Sequence, residues 1–140
     1  MRLLVTRRMP DAVIATARSR FEVTVRDVES EVLTPDELRA ALQDFDVVMP
    51  TLGDRFSAQV FADVPAPRCR LLANFGVGYN HIDVGAAKAA GIKVILLTPT
   101  PDQSAKIDDP QDPLNLHAEQ VRALAKEHDV LLVDSLALFK

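Results

Sequence analysis

At 140 residues, 48% hydrophobic and 26% charged, the chain has the length for one globular unit that buries about two thirds of its unfolded surface without covalent staples. A formal charge of -4 and a pI near 5.3 give no basic face for phosphate neutralisation, and 5% aromatic residues offer no stacking platform, so nucleic acid is excluded as an expected partner. A lone cysteine, Cys69, excludes an internal disulfide framework. No apolar run nears the roughly 20 residues of a membrane span, and residues 1–6 give way too soon to Arg7-Arg8 to read as a signal peptide, so a cytoplasmic setting without membrane contact is expected.

Leu3-Leu4-Val5-Thr6 reads as a buried first strand, after which Pro10-Asp11 opens a helix to about Arg18. Residues 21–25 alternate apolar and polar side chains, as an edge strand with one wet face does. The next helix carries every start signal: Thr34 as cap, Pro35 in first position, Glu37 closing a capping box, and Leu33 stapling onto Leu38. Residues 46–50 predict a third strand, 57–61 a short helix, and 69–73 a fourth strand ending at Asn74-Phe75-Gly76. A helix over about 83–90 stops at Gly91. Residues 92–98, near-continuously apolar, predict a fifth strand in a central position, closed by Pro99-Thr100-Pro101. The polar, acidic stretch 101–112 has no period and reads as a mobile loop. Asp112 and Pro113 then open a helix with Leu114, His117, Val121 and Leu124 on one face, and residues 130–133 form a sixth strand.

Strands separated by helices imply a doubly wound parallel sheet with right-handed crossovers and helices on both faces. The expected fold class is α/β: a three-layer α/β/α sandwich, flavodoxin-like or Rossmann-like, with strand order 2-1-3-4-5-6 and a single domain over residues 1–140. In such folds ligands sit beyond the carboxyl ends of the strands where the strand order reverses, which places residues 6–9, 50–54 and 74–80 around one crevice.

The passage Leu71-Leu72-Ala73-Asn74-Phe75-Gly76-Val77-Gly78-Tyr79-Asn80-His81-Ile82-Asp83, continued by Ala86-Ala87-Lys88-Ala89-Ala90-Gly91-Ile92-Lys93-Val94, gives residues 1–94 a resemblance. They resemble the N-terminal substrate-binding domain of the D-2-hydroxyacid dehydrogenases, in the glyoxylate and hydroxypyruvate reductase branch. The resemblance implies that main-chain amides of two loops, Leu52-Gly53 and Gly76-Val77-Gly78, hold the carboxylate of a 2-oxo or 2-hydroxy acid. Glycine suits that role because it lets the backbone approach a ligand and successive amides form an anion nest, and it serves equally as a plain turn residue. In that family NAD(P) and the catalytic Arg, Glu and His belong to a second domain. No counterpart of that domain is read here, so no cofactor and no catalytic residue is expected. Gly76-x-Gly78-x-x-His81 lacks the third glycine of a dinucleotide fingerprint, and no acidic residue ends the following strand.

Composition shifts after residue 94: residues 1–94 hold 12 acidic and 12 basic side chains and all five glycines, whereas 95–140 hold eight acidic and four basic. Ile95-Leu96-Leu97-Thr98-Pro99-Thr100-Pro101-Asp102, the run from Asp112-Pro113-Leu114 to Ala125, and residues 130–139 resemble a late segment of an SGNH or GDSL-type hydrolase. Together the resemblances imply an engineered chimera of two flavodoxin-like fragments joined at Val94-Ile95. Such a chain is expected to be no enzyme, with no complete active site and weak small-carboxylate binding as the alternative function. Expected self-association is none, or a weak homodimer through the edge of the sheet.

Other chemistry-bearing residues have plain structural readings. Cys69 lies in an apolar strand. Asp134-Ser135-Leu136 ends the last strand and has no neighbouring base, while His117 and His128 sit on a helix face and at its end. Asp102, Asp108, Asp109 and Asp112 lack the ligand alternation and inner glycine of an EF-hand, and Asp83 near His81 reads as a helix cap, so no metal site is expected.

Overall fold

A computed structural model describes residues 1–76, 78–101 and 104–139. Six parallel strands form one sheet, β1 (Arg2–Val5), β2 (Glu22–Val25), β3 (Val47–Met49), β4 (Leu71–Ala73), β5 (Lys93–Leu97) and β6 (Leu131–Val133), in the order β2-β1-β3-β4-β5-β6. The expected strand order and α/β class therefore hold. Between them run α1 (Asp11–Arg18), α2 (Pro35–Asp44), α3 (Ala58–Ala62), α4 (Val84–Ala89) and α5 (Pro113–Glu127), and a short 3-10 turn, Leu136–Phe139, follows β6.

Local chemistry sets the helix starts. The Thr34 side chain accepts from Glu37 N–H while the Glu37 carboxylate accepts from Thr34 N–H at 2.8 Å, closing the capping box. Asp83 caps α4 by accepting from Ala86 N–H, and Asp112 caps α5 by accepting from Leu114 N–H.

The two faces of the sheet are covered unequally. One core joins strand residues Leu4, Val48, Leu72, Val94 and Leu96 to residues from α2, α3, α4 and α5. The other, smaller core holds Leu3, Val5, Val47 and Ile14, the last of these from α1, the one helix that contributes to it among the described residues. This follows from the winding: the chain reverses direction once, after β2, so every later right-handed crossover lands on the same side.

The interior position expected for β5 holds, and one expectation, the buried face of α5, needs correction. β5 lies between β4 and β6, but the outermost strand it supports is poorly covered, with Leu131 54%, Leu132 36% and Val133 44% exposed. On α5 the buried face is Asn115, Ala118, Val121 and Ala125, whereas His117 is exposed and Leu114 and Leu124 are only half-buried. The helix turns Ala118 and Ala125 toward the sheet because small residues allow close approach, and the half-buried Leu114 and Leu124 flank the contact.

Val121 is 5% exposed at the centre of that contact. Val121→Asp buries a carboxylate without a partner and is expected to cost more than about 3 kcal/mol, read as a collapse of the denaturant midpoint. An unchanged midpoint would contradict this orientation of α5.

Candidate functional site

The carboxyl ends of β1, β3 and β4 meet where the strand order reverses, and a buried carboxylate ties them together. Asp54 is fully buried and accepts from the Thr6 hydroxyl at 2.6 Å, Thr51 N–H at 2.9 Å and Leu33 N–H at 3.0 Å. One side chain thus fixes the end of β1, the turn after β3 and the approach to α2. Hydrogen bonds to an ionised acceptor are among the stronger ones, so the turn holding Leu52 and Gly53 is set firmly.

The loop after β4 docks on this turn. Phe75 N–H donates to Pro50 C=O at 2.9 Å, so Thr51 and Phe75 pair as a short parallel bridge. Asn74, 2% exposed, donates through its amide nitrogen to Gly78 C=O at 2.9 Å, which leaves its oxygen to accept from His81 Nε2 at 2.8 Å. Burial lowers the His81 pKa from its ordinary value, with the charge of Asp54 opposing. Tyr79 meets the His128 ring edge-on, 5.5 Å between centroids, and so links this loop to the end of α5.

Between the two loops lies a cavity of about 180 Å³ lined by Arg7, Arg8, Met9, Thr51, Leu52, Phe75 and Gly76. Leu52 and Gly76, two of the residues expected to hold a carboxylate, are brought together there. A side chain at Gly76 would start 3.1 Å from Leu52 Cγ, and its φ of +154° disfavours one. Gly53 adjoins the cavity without lining it; its φ is +98°, and a Cβ there would sit 2.5 Å from Val32 Cγ1. Gly78 lies farther along the loop and lines no part of this cavity, and Val77 falls outside the described residues. Sequence reasoning assigned no role to Asp54, Asn74 or Arg7. Their signal was position alone, each lying in the stretch after a strand end.

Across the Phe75-Gly76 turn a second hollow of about 190 Å³ is bounded by Leu97, Thr98, Pro99, Thr100 and Ser135. Asp134 beside it is held by Arg122 at 2.8 and 3.0 Å and by the Thr98 hydroxyl at 3.0 Å, a pairing that lowers its pKa. A larger cavity of about 430 Å³, lined by residues such as Lys88, Ile92 and Asp129, opens at the amino ends of β5 and β6, away from the strand ends that carry the loops. Cys69 is fully buried, and burial pushes its thiol up to about 11, which makes it inert. Among the described residues no three His, Cys, Asp or Glu side chains gather as metal ligands, and Asp102 lies outside them. No helix among them is long and apolar enough to cross a membrane.

A nicotinamide dinucleotide does not fit these residues. The loop after β1, Thr6 to Pro10, has no glycine for the pyrophosphate to approach, and the helix behind it opens with the acidic Asp11. The stretch after β4 leads to α4 only at Val84, and the cavity holds a few heavy atoms.

Residues 3–105 match the family described as D-isomer specific 2-hydroxyacid dehydrogenase, catalytic domain. A glyoxylate reductase from Thermococcus onnurineus is 36% identical over 101 residues, covering 72% of this chain and 28% of that protein. A D-isomer specific 2-hydroxyacid dehydrogenase from Polaromonas, whose structure is described as NAD-binding, superposes with a TM-score of 0.60 at 34% identity, covering 71% of this chain and 30% of that one. A protein from Thermus thermophilus, TM-score 0.59 and 28% identical, covers 92% of this chain and 40% of its own. The chain thus spans less than a third of the curated relative's length.

These findings correct the reading of an engineered chimera that is no enzyme. The family match crosses residue 94 without interruption, β5 runs through the supposed junction, and the relatives are reductases and dehydrogenases. Nothing in the comparisons supports a hydrolase-like origin for residues 95–140. The uneven glycine content instead marks the loops of the candidate site, and much of the later acidic excess lies on the exposed approach to α5 and its outer face.

Asp54→Ala strips an acceptor from three buried donors and is expected to cost at least ~3 kcal/mol and to speed amide exchange at Thr51 and Leu33. A loss below about 1 kcal/mol would contradict the role given to this carboxylate. Because the folded His81 pKa lies below 6.5, the unfolded chain binds a proton that the folded chain has released. His81 therefore contributes stability above about pH 6.5, lost as pH falls toward the folded value. Between about pH 7 and pH 5 the wild-type denaturant midpoint should fall more steeply than that of His81→Asn; equal slopes would refute this.

Proposed function

Because the chain belongs to the D-isomer specific 2-hydroxyacid dehydrogenase family, we propose that it forms the substrate-holding half of a reductase of small 2-oxo acids, glyoxylate foremost. The observation that carries this reading is the cavity of about 180 Å³ at the strand-order reversal, where Leu52 and Gly76 face one another. Its size suits an acid of a few heavy atoms. In the proposal the main-chain amides of Leu52 and Gly76, with Gly53 adjoining, take the carboxylate; the Asp54 and Asn74 hydrogen bonds fix each loop internally, and the Phe75 N–H to Pro50 C=O bond sets their separation.

The chain's own contribution to the reaction is binding and orientation. Rigid loops hold the acid in one pose, so a reaction partner meets it with little further loss of orientational freedom. The residues 1–140 are taken to act as one domain in this role, in a cytoplasmic setting where Cys69 stays a buried free thiol. Neither nucleic acid nor membrane is part of the proposal. The unpaired edge at β6, with Leu131 to Val133 exposed, makes a weak homodimer the remaining association.

Amide proton-nitrogen spectra of the 140-residue chain, recorded during titration with glyoxylate at constant ionic strength, test the proposal. Saturable shifts are expected at Leu52, Gly76 and the adjoining Gly53 with roughly millimolar affinity, about 4 kcal/mol, and Gly76→Val should remove them. Shifts that never saturate, or that gather at Gly91 and Val130, would overturn it.

A further inference from the structure

The cavity carries a cation that the main-chain reading does not use. Arg7 follows β1 by two residues and lines the cavity, and its Nη2 donates to the Leu52 carbonyl. The same Nη2 lies 3.8 Å from where a Gly53 Cβ would be, so the guanidinium rests directly against the Leu52-Gly53 turn. Its Nε is shut off from solvent and has no hydrogen-bond partner. Among the described residues no carboxylate lies within ion-pairing distance of Arg7. The neighbouring Arg8, by contrast, is taken by Asp27 at 2.8 Å and Glu29 at 3.4 Å. The nearby Asp54 carboxylate is engaged by Thr6, Thr51 and Leu33.

We propose that Arg7 is a substrate-binding residue that pairs with the carboxylate of the small acid while keeping its bond to Leu52. This inference rests on the substrate-holding reading above and adds to it a selectivity for anions. The half-buried guanidinium borders the cavity with no carboxylate partner among the described residues, so its charge is available to an incoming anion, and its planar fork matches two carboxylate oxygens. Main-chain amides alone favour an anion only through partial charges, to which a guanidinium adds a full positive charge. The guanidinium makes the negative charge decisive. Because the side chain also holds the Leu52 carbonyl, binding an anion and ordering the turn become one event.

The test compares the wild-type chain, Arg7→Gln and Arg7→Lys for affinity toward glycolate and its neutral analogue glycolamide, with loop amides as the readout. The wild type should bind glycolate and discriminate strongly against glycolamide. Arg7→Gln should weaken glycolate about tenfold or more and erase the discrimination, with Arg7→Lys falling between because it keeps the charge and loses the fork. Should Arg7→Gln fail to fold, the fork is judged from Arg7→Lys alone, in which an unweakened glycolate affinity would overturn the proposal. Unchanged glycolate binding in a folded Arg7→Gln overturns the role of Arg7 and leaves the substrate-holding function standing. Absence of glycolate binding in the wild type overturns both.

Discussion

The hydrogen bonds converging on the Asp54 carboxylate are the constraint on which the site depends. Parallel strands end in loops whose polar backbone groups have no ladder to join, and here three such segments find one common acceptor. The turn after β3 cannot drift from the end of β1 without breaking a bond to a buried charge. The β4 loop then docks onto that turn through Phe75 and Pro50, and Asn74 closes it internally. What looks like a small surface cavity is the space left between two loops that have each been fixed from behind. Arg7 enters from the third side, held by the same turn it faces.

The remainder of the molecule supports this arrangement unequally. Four of the five helices pack on one face, where residues such as Leu72, Val94 and Val121 form the main core, and α1 alone serves the other. The last strand is tied in through polar contacts: Arg122 and Thr98 both bind Asp134, and Leu136 N–H donates to the Thr98 hydroxyl at 2.9 Å. The end of α5 reaches the β4 loop through Tyr79 and His128. The final third of the chain thus helps hold the loop that bears Gly76 and belongs to the same sheet as the rest.

Features governed by local chemistry were legible in the sequence. Thr34, Asp83 and Asp112 announce their helices because a cap needs only a short side chain and nearby amides, and the alternation of strand and helix points to a doubly wound parallel sheet. The face of α5 was misjudged because leucine was weighed above alanine, although Ala118 and Ala125 permit the closest approach. Asp54 and Arg7 fell only within the stretches 50–54 and 6–9 expected to border the crevice, with no role of their own. Their partners, Thr6 and Leu52, are 48 and 45 residues away, a distance at which no local pattern speaks. The supposed junction at Val94-Ile95 arose from a change in composition that the structure resolves otherwise: glycine gathers where loops border the cavity, and acidic residues gather where the chain is exposed.

The central claim is that loops fixed through Asp54 make a site for a small carboxylic acid. A crystal structure of the 140-residue chain grown with oxalate, an unreactive two-carbon acid, tests it most directly. The account predicts one ordered oxalate between Leu52 and Gly76, with the Asp54 hydrogen bonds unchanged from those described above. Oxalate ordered only at the amino ends of β5 and β6 beside Lys88, or beside Ser135, would contradict it.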